Sequence, residues 1–430
     1  MFTKQNNLII TLSISGLLFL SVFIFPLFLP LIIPYILILL GGLGLIVYKA
    51  LRFFNLNPDF KLAESPISVS IFGSLIAIAV GLLFGFLLML FVNPGQAIPG
   101  FFTIIRGGFR NADSVGNMIY LATPIILTGL SVAFAFRTGL FNIGAGGQLT
   151  MGAFVAVLIG VKGGFLGDIS PLLHWGVALV AAALMGGLWG AIPGLLKAYR
   201  NVNEVVTSIM LNYVAMYLNT LLIKEFIYNV DFARALDIEG SAATPTFLLD
   251  NLFPGSSING GILVAVLLVV VLHIVLNKTT FGFELKAVGF NRDAAKYSGM
   301  NAKRNVVYSM IISGAVAGVA GALIFLVDGK HLKPENILLT EGFTGIAISL
   351  LGLSSPFGVL LAGLFYGSLQ QGGYYLQLYD FKPEIIDIII AVIIYVSALG
   401  LFLQQFVLKR MKKREMLAIQ QDLEDQGGDN

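Results

Sequence analysis

No cysteine occurs in the 430 residues, which excludes both a disulfide framework and a thiolate metal site. Histidine is nearly as scarce. His174, His273 and His331 stand far apart, lack metal-binding spacing such as HExxH, and read as ordinary interfacial or loop residues. Charge is short too, at 11% of residues against about 25% in a soluble domain. There is no GxxxxGK[ST] phosphate loop, no GxSxG nucleophile elbow and no GxGxxG fingerprint. Without these motifs, and without clustered acids or histidines facing one interface, neither nucleotide hydrolysis nor a membrane enzyme is expected on this chain. Glu204, Asp328, Glu341 and Asp387 fall near the ends of apolar runs. That placement argues against a buried proton relay, though not against an autonomous sodium-coupled carrier built on backbone carbonyls.

Hydrophobic residues make up 57% of the chain and come in long blocks. A bilayer-crossing helix needs about 20 apolar residues. Runs of this kind fall at 8–29, 31–51, 69–92, 117–136, 141–161, 175–196, 205–223, 260–276, 306–327, 341–353, 357–372 and 385–407. The expected fold is an all-α polytopic membrane protein. Residues 1–65 form a hydrophobic hairpin and linker, 66–408 a core of about ten helices, and 409–430 a polar tail. The leading run continues past Pro26, Pro30 and Pro34, too long for a removable signal core, and reads as one or two anchoring helices.

Basic residues of short loops mark the cytoplasmic side. The clusters Lys49/Arg52/Lys61, Lys197/Arg200, Lys278 to Arg304 and Lys409 to Arg414 all fall on one face of this span order. The C-terminus is therefore expected in the cytoplasm, with residues 224–259 outside. The net charge of +3 reflects these loops, not a nucleic-acid surface. Among 49 glycines, the pairs Gly81/Gly85, Gly190/Gly194, Gly314/Gly318 and Gly363/Gly367 have the small-xxx-small spacing that lets helix backbones approach closely.

The stretch 278–304 is long for a loop between spans. It has the makings of an amphipathic helix. Leu285, Val288, Ala294, Ala295, Tyr297 and Met300 offer an apolar side; Lys286, Arg292, Asp293 and Lys296 offer a polar one. Two glycine-rich interruptions, 139–152 and 342–358, suit a substrate path, because irregular backbone at membrane depth must line a cavity. Asn142, Gln148, Asn203, Asn212, Tyr213, Thr344 and Ser349 could supply hydrogen bonds and an aromatic surface there. Each could equally bond a neighbouring helix.

The order Gly289, Asn291, Ala294, Ala295, Gly299, Met300, followed by SGAVAGVAGA, resembles the coupling segment of binding-protein-dependent permeases of the ribose and branched-chain amino acid type. So do TGLSVAFAFRTGLFNIGAGGQLTMGAF, NEVVTSIMLNYVAMYL and EGFTGIAISLLGLSSPFGVLLAGLFYGSL; the wording FRTGLFNIGA and NEVVTSIMLNY is most similar to guanosine and nucleoside permeases. The resemblance implies that Phe283, Glu284, Lys286, Gly289, Asn291, Arg292, Ala294, Ala295, Gly299 and Met300 contact a cytoplasmic ATPase. It also implies a second permease subunit, an extracytoplasmic substrate-binding lipoprotein and a bacterial plasma membrane. ATP and Mg would be bound by the partner ATPase, with no cofactor on this chain. A ribose or other simple-sugar cargo is the near alternative. Two departures stand out: Gly146 replaces the glutamate that such permeases carry in GAEGQ, and the leading hairpin has no counterpart in their core.

Overall fold

The computed structural model describes residues 66–382 and 384–397. The leading hairpin and the polar tail lie outside the described residues. The chain divides into a leading unit, Met1–Val69, and a main unit, Ser70–Asn430; the main unit is described below.

Besides two short helices at Gly164–Ile169 and Leu249–Leu252, the described residues form α1 Pro66–Val92, α2 Ala97–Gly107, α3 Ala112–Arg137, α4 Ala145–Lys162, α5 Pro171–Arg200, α6 Glu204–Phe226, α7 Gly261–Lys278, α8 Thr280–Phe290, α9 Arg292–Tyr297, α10 Ala302–Phe325, α11 Glu341–Leu351, α12 Pro356–Tyr375 and α13 over 384–397. Their ends follow local chemistry. Asn111 and Asn203 cap α3 and α6 by accepting from the first free backbone N–H groups, and Pro171 occupies the first turn of α5. Lys197 and Arg200 fall in the last turn of α5, where the helix dipole favours cations.

Seven of the described helices are long and apolar enough to cross a bilayer. The chain is a multi-pass, all-α membrane protein, as expected. Two details differ. The runs near 341–353 and 357–372 are not separate spans: α11 and α12 form one unit bent by 120° at a short break. Helix α2 has no counterpart in the expected list, because its 11 residues are too few to span.

Helices α3, α4 and α10 are buried over 72% of their most apolar stretch, against 28% for α1 and α7, so these three form the core and the others rim it. Glycine permits the crossings. A Cβ added at Gly318 would overlap the carbonyl oxygen of Ala182 on α5, and one at Gly314 that of Gly186. Gly81 and Gly85 meet Ile393 and Ile389 of α13, and Gly363 meets Ile126 of α3. Each of the four glycine pairs lies at a helix contact, and none lines the cavity described below.

Outside the bundle, the segment after α6 forms a two-residue hairpin, β1 Tyr228–Asn229 with β2 Arg234–Ala235. It is tied to the helix ends by Glu239 N–H to Gly160 O (2.9 Å), Thr244 N–H to Leu326 O (2.8 Å) and Ala235 N–H to Leu332 O (2.8 Å). Buried His174 joins the same seam, bonded to Ser241 Oγ at 2.8 Å and to Ile159 O at 2.9 Å.

Candidate functional site: a basic surface segment and an internal cavity

The basic stretch 278–304 folds as two short helices rather than one. Thr279 caps α8, and Asn291 both ends it and caps α9, accepting from Asp293 N–H at 3.1 Å and Ala294 N–H at 3.0 Å. Leu285, Val288 and Ala295 are buried, and Met300 is half-buried. Val288, Ala295 and Met300 seat the segment on a small apolar cluster with Ala135, Leu140, Ala198, Ala302 and Val306, while Leu285 joins the main core. Gly289 rests on the end of α3, where an added Cβ would lie 2.8 Å from Arg137 O and 2.9 Å from Gly139 N. Gly139 answers with a left-handed backbone at φ 70°. Ala198 in the same cluster places the Lys197/Arg200 end of α5 beside the basic segment.

The expected apolar side needs one correction. Ala294 and Tyr297 do not face inward: both are exposed, Tyr297 at 94%. The break at Asn291 changes the helix direction and breaks the periodicity that a single helix would have had. Phe290, which pattern reading passed over, is 90% exposed. Glu284 holds Arg304 at 3.3 Å and Asn305 at 2.9 Å, and Lys286 reaches Asn277 at 3.4 Å. Phe283 is 63% exposed, Arg292 is half-buried, and Gly299 turns the chain at φ 81°.

The expected path residues separate into groups. Asn142 and Gln148 exchange two amide hydrogen bonds, of 2.7 and 3.1 Å, and Asn142 also donates to Ser313 at 2.6 Å. Both are fully buried. Asn212, also buried, accepts from Gly147 N–H at 2.8 Å and donates to Ile143 O at 3.0 Å, holding the entry to α4. Asn203 is a helix cap at the surface. Tyr213 is half-exposed on α6, in line with Met210 and Tyr217. Ser349 is buried beside Ser354 at the α11–α12 break, 3.5 Å between hydroxyls.

Thr344 alone of these lines a cavity of about 210 Å³ between α3, α10, α11 and α12. Polar walls come from Tyr120, Thr123, Asn259, Lys330, Thr340, Glu341, Tyr366 and Gln370; apolar ones come from Leu121, Pro124, Ile125, Leu323 and Ile324. Gln370 donates to Tyr366 Oη at 3.0 Å and to Asp387 at 3.3 Å, and Lys330 Nζ stands 5.0 Å from the centre of the Tyr120 ring. Glu341 makes no ion pair among the described residues. Position 146 is not a glycine for want of room: a Cβ there would meet nothing closer than Leu339 O at 3.8 Å. Gly146 packs on Gly342, one residue from Glu341. The cavity is smaller than the ~300–1,000 Å³ common for drug-sized ligands. Its lining combines two tyrosine rings, amides, hydroxyls, the Lys330 ammonium and the Glu341 carboxylate.

Comparison with known proteins agrees with the membrane architecture. A family model described as "Branched-chain amino acid transport system / permease component" matches residues 114–398. The chain is 40% identical to the guanosine ABC transporter permease protein NupP of Bacillus subtilis over 341 residues, which is 79% of this chain and 96% of that one. It is 34% identical to the nucleoside ABC transporter permease protein NupB of Lactococcus lactis, over 77% of this chain and 91% of that one. The glucose ABC transporter permease protein TsgB13 of Haloferax volcanii is 33% identical over 65% of this chain and 74% of its own length. No solved structure matches significantly.

Proposed function

We propose, from the premise that this chain belongs to the permease-component family of the branched-chain amino acid transport systems, that it is the membrane-spanning subunit of an ATP-driven importer of nucleosides. The observation that carries the reading is the alignment with a guanosine permease along 96% of that protein's length. In this role the chain is not itself an enzyme. It works with a second permease subunit and with a cytoplasmic ATPase that binds ATP and Mg. A substrate-loaded lipoprotein delivers cargo from outside a bacterial plasma membrane, and the polar C-terminal tail lies in the cytoplasm.

The chemistry of the cavity supports a nucleoside cargo. A neutral base has a flat π-face, which the rings of Tyr120 and Tyr366 can cover. Its polar edge needs amide and hydroxyl partners, which Asn259, Thr340, Thr344 and Gln370 carry. Ribose hydroxyls are donors, and the unpaired carboxylate of Glu341 is an acceptor for them. The exposed aromatics Phe290 and Tyr297 stand on the inner-face segment, where an ATPase would engage.

Competition for uptake tests the cargo. In cells expressing the whole importer, unlabelled guanosine or another nucleoside is expected to suppress uptake of labelled nucleoside, while equal ribose or glucose leaves it unchanged. Suppression by the sugars but not by nucleosides would move the cargo to the sugar reading that the glucose permease relative represents.

A further inference from the structure

We infer that Arg137 transmits movement of the inner-face segment to the cavity by holding the α11–α12 turn. The inference rests on the importer reading above and names the part that connects its two ends. Arg137 is the last residue of α3. Its Nε donates to Ser354 O at 2.9 Å and its Nη2 to Leu353 O at 3.3 Å. One planar guanidinium therefore grips two successive carbonyls of the turn, a geometry that a lysine ammonium cannot reproduce.

The turn needs such a grip. Leu353 and Ser354 adopt φ of 56° and 50°, a left-handed conformation that L side chains disfavour and that surroundings must impose. Local bonds contribute, with Ser354 N–H on Ser349 O at 2.7 Å and Ser355 N–H on Gly352 O at 3.1 Å. Arg137 adds the tie to another helix. Residues 137–139 are also the backbone on which α8 rests through Gly289. A single stretch of chain thus touches the inner-face segment on one side and the turn on the other.

From that turn α11 and α12 diverge into the cavity wall. Glu341 and Thr344 stand on α11, and Tyr366 and Gln370 on α12. A shift of α8 against Gly139 therefore reaches the turn through Arg137 and alters the separation of these two walls. Arg137 touches no cargo; it is a positioning residue.

The test uses the full importer in liposomes and reads two quantities, ATP hydrolysed and nucleoside taken up. Arg137→Gln is expected to keep hydrolysis while lowering nucleoside moved per ATP by at least about ten-fold, with Arg137→Lys in between. Because the native chain has no cysteine, Thr344→Cys supplies its only thiol and reports on the cavity directly. Its maleimide labelling rate is expected to change on trapping with ATP and vanadate when Arg137 is present, and to stay constant in Arg137→Gln. An unchanged transport ratio in Arg137→Gln would overturn the inference. So would hydrolysis and uptake falling together with no recovery in Arg137→Lys, which marks a scaffold role. If the complex with Arg137 intact moved no nucleoside, the importer reading itself would fail, and the inference with it.

Discussion

Replacing Phe290 and Tyr297 together with alanine is expected to abolish ATP-dependent uptake while leaving the protein in the membrane at its normal level. Both rings are almost fully exposed, at 90% and 94%, on a segment whose other side is firmly seated. Large aromatic side chains are the residue type that most often anchors a protein interface, and truncating one such anchor costs about 2 kcal/mol or more. At that cost, each substitution weakens ATPase binding by roughly 30-fold. The fold should not suffer, since neither ring contributes to the buried cluster under α8 and α9. Co-purification of the ATPase with tagged permease measures the effect directly. Retention of the ATPase by the double variant would show that the exposed rings do not form the docking surface.

The second large effect is on assembly of the bundle. Gly318→Val should leave little stable protein, because α10 crosses α4 and α5 through backbone contact at this residue. An added Cβ would strike Ala182 O on one side, and Gly152 on α4 presses on Gly318 from another. Overpacking a well-filled core costs about 1–3 kcal/mol when side chains can shift. Here the obstacle is main chain on two neighbouring helices, so the cost should exceed that range and take up much of a stability of roughly 5–15 kcal/mol. Gly176→Ala is the matched control, since nothing lies within 4 Å of the Cβ it would add. Thermal unfolding in detergent is the measurement. Equal melting temperatures for the two variants would mean that the α10 crossing is looser than the structure shows.

Much of the architecture was readable from hydropathy because the bilayer demands long apolar runs, and α3 to α7 and α10 fall where such runs do. The break between α11 and α12 was readable as the glycine-rich interruption at 342–358, but its 120° bend was not, because the turn is made by Leu353 and Ser354 in left-handed conformations that no glycine at those positions advertises. Helix α2 escaped because 11 residues fall below the length of a span. The basic segment 278–304 was visible from its charges and its length. Its outward face was not, since the break at Asn291 resets the periodicity that had assigned Tyr297 to the inside.

The path residues show where polarity stops being informative. Asn142, Gln148 and Asn212 stood out as amides in apolar surroundings, yet each has its partners within the protein. A buried amide must be bonded whether it holds a helix or a solute, and the letters do not distinguish the two. The cavity instead draws on Tyr120, Asn259, Lys330, Glu341, Tyr366 and Gln370, positions separated by as much as 250 residues (120 to 370). No local pattern joins them; only the packing of α3, α10, α11 and α12 does.

The decisive measurement is nucleoside uptake into liposomes holding this chain alone, this chain with the second permease and ATPase, and the full set with the lipoprotein, each with and without ATP. Accumulation is expected only in the complete set and only with ATP. Accumulation by the single chain, driven by an ion gradient and indifferent to ATP, would contradict the assignment of this protein as the passive partner of a separate engine.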